Sequence, residues 1–180
     1  MLVEHYELIE VLAVPYKAPG AYRELLDLGM KALPAVRVGL RHDNPDVRFH
    51  CCRFLDRYLL PETLSDLMDM LNDGDKRVRC SALHTLACDR CKEGDCRPEE
   101  GQVLPSAMKL LASDPDAHVR AMAIEVVGHF VHANDLASAA ISTALRDDPS
   151  STVRKKAGWY APGGPIHKRT KPKLRREPVT

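Results

Sequence analysis

Aromatic residues are scarce in this chain, at 5% of its 180 residues, and tryptophan occurs once. A core of ordinary size must therefore be aliphatic. The hydrophobic share of 44%, dominated by Leu, Ala and Val, suits packed helices. No apolar run reaches the roughly 20 residues that a membrane helix requires. The first twenty residues carry Glu4, Glu7 and Glu10 and lack both a basic start and an unbroken apolar stretch, so no secretory signal is expected. Catalytic signatures are also missing. There is no Gly-rich phosphate loop, no Gly-x-Ser-x-Gly elbow and no His-Glu-x-x-His. The pattern predicts a non-enzymatic, cytoplasmic protein that does not engage membranes.

The net charge of +1 conceals an asymmetry. From Arg154 onward nine Lys/Arg face one acid, Glu177, giving +8, and the remainder is −7. An acidic body with a basic tail bears on partners.

Internal periodicity is the dominant signal. Four segments align without gaps: DVRFHCCRFL from Asp46, RVRCSALHTL from Arg77, HVRAMAIEVV from His118 and TVRKKAGWYA from Thr152. Their valines, Val47, Val78, Val119 and Val153, are spaced by 31, 41 and 34, and each is followed by Arg. Small or aliphatic residues recur four and eight places later: Cys51 and Leu55, Ala82 and Leu86, Ala123 and Val127, Ala157 and Ala161. That spacing draws one stripe along a helix, whereas a strand would alternate every second residue. Asp-, Asn-, Gly- and Pro-containing turns precede each segment and supply helix-capping chemistry. The expected second helices are 46–60, 77–91, 118–132 and 152–161. Their partner helices are expected near 22–40, 62–71, 99–111 and 135–145, with an opening helix near 3–12.

Helix, Asp/Pro turn, then Val-Arg-x-x-Ala-x-x-x-Leu resembles HEAT repeats, especially the short kind found in phycobilin-lyase proteins, over roughly Tyr22 to Ala161. The resemblance implies an all-α fold, a right-handed α-solenoid of about four helical hairpins, occupying residues 1–161. Stacked hairpins of such a family share a core and leave a groove that takes a protein partner. It also implies that the recurrent arginines, Arg48, Arg79, Arg120 and Arg154, pair with turn aspartates, for which Asp43, Asp73, Asp114 and Asp147 are the candidates. Bilin-lyase chemistry would be an analogy from fold alone.

Three surfaces invite function. Positions six and ten after each valine lie off the apolar stripe and would line the groove: Arg53 and Arg57, His84 and Cys88, Glu125 and His129. The longest repeat contains a Cys-rich insertion, 88–100. There His84-x3-Cys88-x2-Cys91-x4-Cys96 offers four N/S donors in an order compatible with zinc, with His129 as a substitute ligand. The same residues also read as thiols beside a solvated His84, or as a Cys91–Cys96 disulfide in an oxidising compartment. Cys51 and Cys52 read as small core fillers, and Cys80 joins them off the zinc pattern. Finally, Ala161-Pro-Gly-Gly-Pro165 should end the last helix and release a flexible tail, 162–180. Its Lys168, Arg169, Lys171, Lys173, Arg175 and Arg176 suit a nucleic-acid backbone or a solubilising arm. Trp159 and Tyr160 are expected to cover the end of the last repeat.

Overall fold

The computed structural model describes residues 2–88, 91 and 96–172, with side chains from residue 5. Lys173, Arg175 and Arg176 of the basic tail lie outside the described residues. The described residues are helical with short connections, and none is in a strand. By contacts the chain divides into two compact units, residues 1–103 and 104–180.

In the first unit, α1 (Leu2–Val11) packs on α2 (Ala18–Leu28) and α3 (Leu33–Gly39), which are joined by a 3-10 turn at Gly29–Ala32. Gly29 has φ of 55°, a value that favours glycine and lets α2 end there. α4 (Pro45–Tyr58) packs against α2 and α3 on one side and α6 (Lys76–Ala87) on the other. α5 (Leu64–Asp69) runs between 3-10 turns at Pro61–Thr63 and Met70–Asn72, the second of which lies on α6. α7 (Glu100–Ser113) contains the division between the units. In the second unit, α8 (Ala117–Gly128), α9 (Asp135–Asp147) and α10 (Ser151–Tyr160) pack on one another.

The apolar stripe behaves as its spacing requires. Val47, Val78, Val119 and Val153 are all fully buried, as are the residues four and eight places on, none of them above 5% exposed. α4, α6, α8 and α10 are thus the inner helices of their hairpins. Two glycines permit close approach. A Cβ on Gly39 would stand 2.5 Å from Cys51 Sγ, and one on Gly128 would stand 2.1 Å from the Tyr160 ring.

The turns repeat with a fixed offset from each valine. Three residues before it, Asn44, Asp75 and Asp116 cap their helices by accepting from the backbone N–H two residues on. Ser150 occupies that place in the last repeat and makes no such bond through its side chain. Five residues before the valine, the Asp73, Asp114 and Asp148 carboxylates each accept from the N–H two residues later. In the first repeat His42 fills this place, its Nδ1 accepting from Asn44 N–H at 2.9 Å. The arginine after each valine donates back into its own turn, to the two carbonyls five and four places before the valine. Arg48 reaches His42 and Asp43, and Arg120 reaches Asp114 and Pro115. Arg79 and Arg154 repeat the pattern.

The carboxylate partners differ from the expected set. Arg48 makes a bidentate pair with Asp73, at 2.6 and 2.9 Å, and Arg120 makes one with Asp148, at 2.7 and 2.9 Å. Each guanidinium therefore reaches forward to the turn of the next hairpin. Asp43 contributes only its carbonyl to Arg48. Asp147 points away to an exposed contact with Arg146 at 3.5 Å. Asp147 lies six places before its valine, one off the position that faces the arginine.

The segment after the last inner helix also departs from expectation. Residues 165–170, expected to be irregular, form a short helix, α11 (Pro165–Thr170), packed on α10. Pro165 starts this helix instead of preventing it, because a first-turn N–H needs no helical partner. His132 Nε2 lies 3.0 Å from Thr170 Oγ1, and the His132 and His167 rings are 4.3 Å apart. Burial first, then His132 and Lys171, hold His167 below the usual histidine pKa.

Candidate functional site

α6 turns its His84 away from the apolar stripe, and one helical turn later the chain leaves the helix at Cys88, whose ψ of 105° is extended. This exit brings Cys91 back over the helix end. Cys88 Sγ and Cys91 Sγ are 3.0 Å apart, and Cys91 Sγ is 4.0 Å from His84 Nε2. The neighbouring inner helix, α4, adds a fourth group: Asp56 Oδ2 lies 3.5 Å from His84 Nε2. One ligand atom from each of Asp56, His84, Cys88 and Cys91 lies within 4.8 Å of all the others. Among the described residues this is the group of His, Cys and acidic side chains that could hold a metal.

Three of the four residues expected for zinc are therefore together, and Asp56 stands where Cys96 was expected. Neither Cys96 nor His129 belongs to the cluster. No disulfide joins Cys91 to Cys96 in this structure. The Cys88 hydrogen bond first, then burial and Asp56, push the Cys91 thiol up to about 12. Asp56 is largely buried and His84 half exposed, so the cluster sits against α4 and opens to solvent at His84 and Cys91. The other Asp56 oxygen, Oδ1, is buried without a hydrogen-bond partner. Cys51 and Cys52 play a different part. Both are buried in the apolar seam, and desolvation raises the Cys51 thiol to about 12 and moves Cys52 in the same direction.

The positions expected to line a groove are presented as follows. In the first unit Arg53 and Arg57 are exposed on α4. The Arg53 guanidinium lies 4.6 Å from the centre of the Tyr22 ring on α2 and 5.8 Å from Phe49, and Arg57 lies 5.6 Å from Tyr58. In the second unit Glu125 is half-buried and salt-bridged to Lys156, while His129 is exposed at the end of α8. A cleft of about 410 Å³ lies beside α7 and α9, but its charged floor, Arg120 and Asp148, is engaged in the ion pair described above. Of the tail cations, Lys168, Arg169 and Lys171 are exposed at α11 and just beyond it. No helix among the described residues is long and apolar enough to cross a membrane.

A family model described as HEAT repeats matches residues 8–87, and one described as HEAT repeat matches residues 103–133, together more than half of the chain. Among solved structures the chain is similar to one in the complex of CpcE and CpcF of phycocyanin lyase from Nostoc sp. PCC7120. The identity is 22% and the TM-score 0.69, over 89% of this chain and 99% of that one. It is similar also to a designed armadillo repeat protein in complex with the peptide (KR)4, at 18% identity and a TM-score of 0.58, over 87% and 80% of the two chains. An engineered protein aligns at 19% identity with a TM-score of 0.51, over 86% and 78%. At these identities the likeness establishes the fold alone. No curated protein matches the sequence. The fully buried Val-x3-small-x3-aliphatic stripe, the Asp-anchored turns, the forward-reaching arginines and the two matching models agree: the chain belongs to the HEAT-repeat family.

Proposed function

We propose that the protein is a non-enzymatic scaffold that holds a protein partner, and that the first unit takes a carboxylate-bearing segment of it on the α4 face. The observation that carries this reading is the placement of Arg53 and Arg57. They are one helical turn apart, both exposed, with their guanidinium groups set on the rings of Tyr22, Phe49 and Tyr58. An aromatic platform limits the rotamer freedom that an arginine loses on binding. Arg and Tyr are also the residues over-represented where protein interfaces gain most of their affinity. The designed armadillo protein, in complex with the peptide (KR)4, supports the use of such a fold for charged peptides. Here the sign on α4 is reversed.

The test compares proteins retained from native extract by the wild type and by the Arg53→Glu, Arg57→Glu double variant, with helical content checked by circular dichroism. At least one protein should be held by the wild type, weaken as salt rises and be lost in the variant. An identical set on both baits, or no retention above background by the wild type, would refute the proposal.

A further inference from the structure

The geometry points to a zinc site formed by Asp56, His84, Cys88 and Cys91, with Asp56 and not Cys96 as the fourth ligand. Two sulfurs, an imidazole nitrogen and one carboxylate oxygen make a donor set that suits a thiophilic divalent ion. Calcium and magnesium prefer oxygen alone. Bond lengths of about 2.3 Å to sulfur and about 2.0–2.2 Å to nitrogen and oxygen fix the edges of a tetrahedron. Its S–S edge is about 3.8 Å, its S–N edge about 3.6 Å and its N–O edge about 3.4 Å. The corresponding separations here are 3.0, 4.0 and 3.5 Å. Opening the sulfur pair and closing Cys91 toward His84, each by less than about 1 Å, completes the figure. Such movement is within reach of a cysteine that follows a helix end.

A second observation is independent of those distances. Asp56 Oδ1 is buried with no hydrogen-bond partner. A carboxylate oxygen withdrawn from water without a hydrogen bond is costly, and a cation at the cluster would offset that cost through the same group. His84 on α6 and Cys88 at its C-cap stand four residues apart, with Cys88 N–H donating to the His84 carbonyl, so the end of the helix holds two ligands together. α4 supplies Asp56 across the interhelical contact, and the open side at His84 and Cys91 gives the ion its entry.

Zinc content of the protein purified under reducing conditions, and its affinity by competition with a chromophoric chelator, test the assignment. One equivalent per chain is expected. Cobalt(II) in its place should show the visible bands of a tetrahedral site and the near-ultraviolet bands of thiolate ligation. Asp56→Ala, His84→Ala and Cys91→Ser should each weaken binding by more than about a hundredfold, beyond the 10–100-fold that changes around a metal's ligands cost. Cys96→Ser should leave it unchanged. Circular dichroism on each variant separates lost binding from lost folding. Absence of stoichiometric metal with free thiols, recovery of a Cys88–Cys91 disulfide in place of the metal, or octahedral cobalt spectra would overturn the site. Binding that survives Asp56→Ala but fails in Cys96→Ser would overturn the choice of fourth ligand.

Discussion

Asp147 and Asp148 are adjacent in sequence and opposite in consequence, and replacing each by alanine separates them. The Arg120 and Asp148 side chains are 11% and 6% exposed and share two short hydrogen bonds, while Asp148 also accepts from Ser150 N–H at 2.8 Å. Removing one member of a buried pair costs about 3–5 kcal/mol, because the other charge is left behind. Losing the turn bond adds about 1 kcal/mol. The Arg120 bonds to the Asp114 and Pro115 carbonyls remain and moderate the loss. Asp148→Ala should therefore destabilise by about 3–4 kcal/mol. Asp147 is 63% exposed, its contact with Arg146 is 3.5 Å, and it is the last residue of α9, where the helix dipole disfavours a carboxylate. Asp147→Ala should change stability by no more than about 0.5 kcal/mol. Urea unfolding followed by Trp159 fluorescence reads both, since this sole tryptophan lies on α10 of the same unit. Replacing the pair together, as Arg120→Met with Asp148→Leu, should recover part of the loss. Equal costs for the two alanine variants would refute the assignment of the ion pair.

The same ion pairs set an acid dependence. The Arg120 hydrogen bond, ahead of the opposing effect of burial, holds Asp148 below the usual carboxylate pKa. At Asp73 burial is the largest single influence and pushes upward, but Arg48 and the Asp75 N–H together outweigh it. Both carboxylates are thus stabilising above the unfolded value of about 3.9, and their contribution is lost as pH falls below it toward the folded value. The melting temperature should drop as pH falls below about 4, less steeply in Asp148→Asn. Parallel curves would contradict this. Gly128→Ala should destabilise by about 1–3 kcal/mol despite alanine's better helix propensity, because its Cβ would overlap the Tyr160 ring. Combining it with Tyr160→Ala should cost less than the sum, read by the same unfolding assay. Cys51 and Cys52 should resist alkylation in the native protein and react only on unfolding, as peptide mass spectrometry would show, since both are buried with raised pKa values.

The inner helices were legible because Val47, Val78, Val119 and Val153 carry their stripe with a period that only a helix satisfies. The turn aspartates were half legible. Taking Asp43 and Asp147 simply as turn aspartates misses the fixed offset of five residues, which selects His42, Asp73, Asp114 and Asp148. That Arg48 and Arg120 reach the following turn is a property of how their hairpins pack, and no local pattern encodes it. The cluster of possible metal ligands shows the same division. His84, Cys88 and Cys91 are tied by helical and short-loop spacing, which sequence displays. Asp56 lies 28 residues earlier, and only the packing of α4 on α6 brings it near. Reading Pro165 only as a helix terminator overlooked that it also begins helices, which is how α11 was missed.

Both bidentate pairs cross the junction between one hairpin and the next, which gives the hairpins a fixed order of succession. Asp73 and Asp148 receive an incoming guanidinium, and α1 has no arginine to send to His42. A hairpin bearing imidazole at that place has no carboxylate with which to receive a guanidinium. Transplanted downstream, it would meet an arginine and offer it no carboxylate. Shuffled or lengthened versions of this protein should therefore tolerate duplication of the aspartate-bearing hairpins and reject duplication of the first.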